Sequence, residues 1–184
     1  MTAREILAVA VLAVMSIVAT AAVRGADYDA AVSAANKRDY VAAAQEFQRL
    51  AEEGDPRGEN GLGVLHANGL GVRKDATLAA QWFRKASDQG YKAAQNNLGE
   101  LYLTGTGVGQ DYEVAEQLFR AAAAQGDSDA QVNLGRIYAA GLGVKTDFAE
   151  AMDWFQRSPS RGTPPVRPMW DIFFAPVTES DGTI

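Results

Sequence analysis

A chain of 184 residues, 47% hydrophobic and 22% charged with no break in composition, has the makings of one elongated domain. Its net charge of −6 disfavours a nucleic-acid surface, which needs clustered lysine and arginine, and equally a surface for anionic lipid headgroups. There is no cysteine, which excludes a disulfide framework, a thiolate metal site, a thiol nucleophile and a lipoprotein attachment point.

The first element is an unbroken apolar and small-residue run, Ile6 to Val23, preceded by Arg4. This is the arrangement of a secretory signal peptide, and Thr20 with Ala22, or Val23 with Gly25, supplies the compact residues for cleavage near Ala22 to Ala26. Residues 1–26 are therefore expected to be a signal peptide. The alternative is an uncleaved N-terminal anchor, since about 18 apolar residues suffice to cross a bilayer. Either way the rest of the chain is expected in an exported compartment: periplasmic or secreted, or held at the inner membrane facing the periplasm.

After this leader the chain repeats. Gly54, Gly90, Gly126 and Gly162 stand 36 residues apart, as do Asp39, Asp75, Asp111 and Asp147, and Phe47, Phe83, Phe119 and Phe155. A period between about 20 and 50 residues marks a stacked array of one supersecondary unit. Residues 27–54 form a degenerate leading unit: Asp27 to Lys37 reads as an alanine-rich helix without the glycine loop of later units, and Asp39 to Gly54 as a second helix carrying Ala43, Phe47 and Leu50. Complete units follow at 55–90, 91–126 and 127–162.

Within these units, Gly58 to Asn68, Ala94 to Thr104 and Ala130 to Ala140 place small and apolar residues at helical spacing, which predicts a first helix in each. A Gly-x-Gly-Val loop comes next, its leading glycine suited to the left-handed residue that ends a helix and its second to a positive φ in the turn. Asp75, Asp111 and Asp147 then sit where a carboxylate caps a second helix, and Asp147 with Glu150 has capping-box spacing. Each second helix is expected to run about four turns toward Gly90, Gly126 or Gly162. Asp55-Pro56 and Asp127 open the next first helices.

The last segment, 163–184, is expected to cap the array and end in a polar tail, since Val166, Trp170, Phe173 and Phe174 fall where Ala130, Leu134, Ile137 and Tyr138 stand one unit earlier. Prolines 164, 165 and 168 confine any helix there to a short stretch, and Pro176 ends it. The alternative is that Trp170 to Phe174 is an exposed peptide that engages a partner or the groove.

In register, the units share Leu-Gly, an aromatic three residues after the glycine, Gly-x-Gly-Val, Asp, Ala and a final Phe. These are Leu62, Gly63, His66, Gly69, Gly71, Val72, Asp75, Ala79 and Phe83, then Leu98, Gly99, Tyr102, Gly105, Gly107, Val108, Asp111, Ala115 and Phe119, then Leu134, Gly135, Tyr138, Gly141, Gly143, Val144, Asp147, Ala151 and Phe155. The pattern resembles the Sel1-like repeat family, relatives of tetratricopeptide repeats with a longer glycine-bearing loop. It covers roughly residues 39 to 162, departing at His66, where the other copies have tyrosine, and at Leu118, where they have tryptophan. The resemblance implies an all-α, right-handed α-solenoid of stacked helical hairpins with an extended concave surface. Some secreted members with a disulfide in every repeat are linked to β-lactam binding or hydrolysis, which this cysteine-free chain does not inherit.

Helical phase together with the resemblance puts one position after the core glycine, and three before it, on the concave face. Those residues are Asn60, Val64, Asn96, Glu100, Val132 and Arg136, with Ala67, Leu103 and Ala139 one turn further on. The asparagine amides suit the clamping of an extended backbone, and Glu100 with Arg136 suits selection by charge. Catalytic motifs are missing: there is no Ser-x-x-Lys, Gly-x-Ser-x-Gly or His-Glu-x-x-His, and His66 is the only histidine. Gly105 to Gly109 follows a helix and lacks a Walker lysine, so it reads as a turn. The expected function is a noncatalytic exported scaffold that binds a protein or peptide partner in the cell envelope, without cofactor or metal. A different class is an envelope enzyme or enzyme regulator acting on cell-wall glycan or its precursors, which would need Trp82 or Trp154 exposed in the groove.

Overall fold

The computed structural model describes residue 25 and residues 27–158. All regular structure among them is helical: α1 (27–36), α2 (Tyr40–Glu52), α3 (Pro56–Asn68), α4 (Ala76–Asp88), α5 (Lys92–Thr104), α6 (Tyr112–Ala124), α7 (Ser128–Ala140) and α8 (Phe148–Arg157). From α2 onward each helix packs chiefly on its successor in the chain, which makes an all-α solenoid of helical hairpins. The expected signal peptide or anchor at Ile6 to Val23 and the capping segment at 163–184 lie outside the described residues. Within the described residues no helix is long and apolar enough to cross a membrane.

Caps fix the helix ends. Asp39, Asp75, Asp111 and Asp147 each accept a first-turn amide of α2, α4, α6 and α8, at 3.1, 2.9, 3.0 and 3.0 Å, and Asp55 and Asp127 do the same for α3 and α7 at 2.9 Å. Helix α5 starts after Tyr91 with no side-chain cap. The capping box is half made: Asp147 accepts from Glu150 N, but Glu150 Oε1 accepts from Trp154 Nε1 at 2.9 Å instead of reaching back, and Asp147 N bonds Tyr138 O at 3.0 Å. Helix α8 stops at Arg157, short of Gly162, because Ser158 is extended (φ −73, ψ 113). Pro159 follows it, and the residue before a proline is forced away from helical geometry.

Two glycine positions draw the units together. A Cβ on Gly63, Gly99 or Gly135 would meet the ring of Phe83, Phe119 or Phe155 of the same hairpin at 2.5 to 2.7 Å, well inside contact distance, so each ring lies on bare backbone. The second loop glycines, Gly71, Gly107 and Gly143 (φ 66, 72 and 68), lie against Tyr40, Ala76 and Tyr112, the first residues of the preceding unit's second helix. They are therefore fixed by turn conformation and by stacking between units. Buried alanine, leucine and phenylalanine fill the rest, with Tyr102 packing against both the middle and trailing parts of the core and Trp82 against the leading part.

Candidate functional site

Because the units repeat in register, Val64, Glu100 and Arg136 occupy one position of α3, α5 and α7 and are all exposed, Val64 to 36%. One turn on, Asn68, Thr104 and Ala140 are exposed as well, and Ala67, Leu103 and Ala139 are half-buried beside them. The strip lies next to the core glycines, whose own positions face the phenylalanine rings.

The other three predicted residues lie deeper. Asn60 and Val132 are half-buried, and Asn96 is buried, with 6% of its surface exposed. Asn97 Nδ2 donates to Asn60 Oδ1 at 2.9 Å, and Asn133 Nδ2 donates to Asn96 Oδ1 at 3.0 Å, so amides tie each first helix to the next. A buried amide requires such partners, since leaving it unsatisfied costs about 1–3 kcal/mol. The Asn96 amide is thus committed within the protein, its Nδ2 donating to Glu100 Oε1 at 3.3 Å.

Asn133 Nδ2 also donates to Glu100 Oε1, at 3.3 Å. One carboxylate oxygen is therefore held by two buried amides from consecutive units. No ion pair involves Glu100 or Arg136 among the described residues, whereas Asp55 pairs with Arg57 at 2.6 Å and Arg49 with Asp27 at 2.9 Å. The strip thus carries two charges of opposite sign, one on α5 and one on α7.

Other sequence candidates fall elsewhere. His66 takes the tyrosine position, half-buried, with Nδ1 3.2 Å from Arg73 O. Trp154 is buried with Arg157 Cζ 4.7 Å from its ring centre, and Trp82 is half-buried with Lys85 Nζ at 4.2 Å. Both belong to second helices, whereas the strip is carried by first helices. Gly105 ends α5 in the left-handed conformation (φ 70). Among the described residues no group of three or more His, Asp or Glu is placed to hold a metal ion.

Two polar rows escaped the sequence reading. Glu59 and Gln95 are buried at equivalent positions, accepting from Gln89 Nε2 and Gln125 Nε2 at 2.8 Å each. Burial raises the Glu59 carboxyl above the ordinary range. Separately, Arg84 donates to the Tyr102 hydroxyl and Arg120 to that of Tyr138, while Tyr138 donates to Glu116 Oε1 at 2.9 Å. Burial followed by the Glu116 contact raises the Tyr138 phenol. The signal was present as polar residues recurring at the unit's own period.

A family model described as Sel1 repeat matches residues 56–91, 92–127 and 128–159. Among solved structures, the chain is similar to a Sel1 repeat protein from Oxalobacter formigenes, at 31% identity and a TM-score of 0.67, covering 72% of this chain and 53% of that one. It is also similar to c5321, a protective antigen of uropathogenic Escherichia coli with an SLR fold, at 37% identity and a TM-score of 0.60, covering 65% of this chain. The chain thus spans about half the length of the first and 26% of the second. No curated protein matches it.

Proposed function

Because the chain belongs to the Sel1 repeat family, we propose that it is a noncatalytic scaffold that binds a protein or peptide along the strip of its first helices. The strip is the concave side of the stack in this reading. The observation that carries it is that one register position stays exposed through three consecutive units and bears two charges that form no ion pair among the described residues, while the asparagines beside it bond one another from unit to unit. The apolar run Ile6 to Val23 supports an exported protein whose partner lies in the cell envelope.

A photo-crosslinking residue placed at Val64 or Arg136 is expected to capture one discrete partner in intact cells, and the same residue at the exposed Gln117 on α6 is not. Identical capture from all three positions, or none from the strip, overturns the proposal. Intact-mass measurement of the cellular protein tests the export step: a mature start near residues 23 to 27 supports a cleaved signal, and a start at residue 1 supports an anchor.

A further inference from the structure

We propose that the strip selects an extended segment bearing an apolar, a basic and an acidic side chain, in the order set by Val64, Glu100 and Arg136. The inference rests on the scaffold reading and gives its partner a chemistry. Val64 is followed one turn on along α3 by the half-buried Ala67, which makes this end of the strip apolar. Glu100 follows, its Oε1 held at 3.3 Å by both Asn96 and Asn133, two amides that are themselves 6% and 5% exposed. Its Oε2 makes no hydrogen bond among the described residues, so the carboxylate is oriented and still able to accept. Arg136 stands one unit further on, exposed and without an ion pair among the described residues.

A segment lying across these residues strips water from both charges, which is unfavourable unless it brings the opposite charge to each. A like charge at either place is repelled, so the order of charges discriminates between ligands as well as attracting them. Direct amide contacts show that consecutive first helices touch. Packed helices lie about 8–10 Å apart, and a polyproline II segment, with three residues per turn and about 3.1 Å per residue, presents every third side chain on one face at about that interval, so the three ligand side chains stand three residues apart.

The test pans a random displayed peptide library on the full chain and on its Glu100→Lys, Arg136→Glu double variant. Both positions are exposed and the net charge is unchanged, and far-UV circular dichroism checks the helical content. Wild type is expected to enrich apolar-x-x-basic-x-x-acidic sequences and the variant the same pattern with the charges exchanged. A synthetic wild-type-selected peptide is expected to bind the variant at least about tenfold more weakly. Enrichment of the same sequences on both proteins, or of none on wild type, overturns the inference. Self-association that the double variant abolishes would assign the strip to a second copy of this chain, which also overturns it. If charge order fails while the Val64 crosslink persists, the scaffold reading survives alone; if the crosslink is absent, both fall.

Discussion

The junction where α3 stacks on α2 shares its loop glycine with the two interior junctions, α4 to α5 and α6 to α7, and differs from them in its polar contacts. At the interior junctions an arginine of the second helix, Arg84 or Arg120, reaches the tyrosine hydroxyl of the next first helix, Tyr102 or Tyr138. The equivalent residues at the leading junction are Gln48 and His66. Gln48 Nε2 turns back along its own helix to Glu52 Oε1 at 2.9 Å, and His66 faces the Arg73 carbonyl. All three junctions keep the same loop glycine against the preceding helix start. The comparison separates what stacking demands of every unit from what changes only in pairs, because a guanidinium without its phenol, or the reverse, gains nothing by crossing the junction.

The glycines give the largest expected effect. Gly107→Ala places a Cβ against the backbone of Ala76 and forces alanine into φ +72. Left-handed geometry alone costs about 1–2 kcal/mol, and overpacking against backbone adds about 1–3 kcal/mol. Gly90→Ala isolates the first contribution, since Gly90 has φ +80 and open space around its Cβ position. In urea unfolding, Gly107→Ala should lose about 3 kcal/mol or more and Gly90→Ala about 1–2 kcal/mol. Gly71→Ala at the leading junction should match Gly107→Ala, as its Cβ would fall against the backbone of Tyr40. Equal losses for Gly90 and Gly107 would show that the loop contacts carry no stacking energy.

The polar difference is tested by transplanting the pair. His66→Tyr alone or Gln48→Arg alone should shift stability little, while the double variant should show a favourable coupling of about 0.5–1 kcal/mol in a double-mutant cycle. The coupling is modest because Arg120, the model for the graft, is half exposed, with 51% of its side chain open to solvent. Effects that simply add would mean that the interior Arg–Tyr contacts are incidental.

The division between apolar frame and polar pairs also explains what could be read from the residues alone. Helix order, the left-handed glycines and the aspartate caps follow from short-range rules, and each recurs three times or more in the sequence. The end of α8 was visible as Pro159, but the unit's period pointed to Gly162, and a local steric restriction prevailed over the repeat. Asn96 illustrates the other kind of gap. Helical phase gives its direction, which it shares with Asn60, whereas its depth depends on Asn133, an amide contributed by the following unit. Glu150 likewise had two possible partners, and a tryptophan one turn along its own helix took the acceptor that the cap would have used.

Glu59 offers the smallest and most specific test, because among the described residues it is the one ionisable member of a buried row whose next member is Gln95. Its carboxyl is raised first of all by burial, with Asp55 and Asp88 adding to the rise and the Gln89 hydrogen bond and Lys85 opposing it. An acid whose folded-state pKa exceeds its unfolded value contributes stability that is fully present below the unfolded value, about 4.3, and is lost as pH rises through the folded one. Glu59→Gln removes that loss and keeps an acceptor for Gln89, in the geometry Gln95 already uses with Gln125. The variant should therefore be more stable than wild type at neutral pH, and the gap should close as the solution is acidified toward pH 4. Thermal melts across that range read the slope directly. A gap that stays constant with pH would place the effect in packing, and a less stable variant at pH 7 would mean that the charged form is the one the α3–α4 hairpin holds.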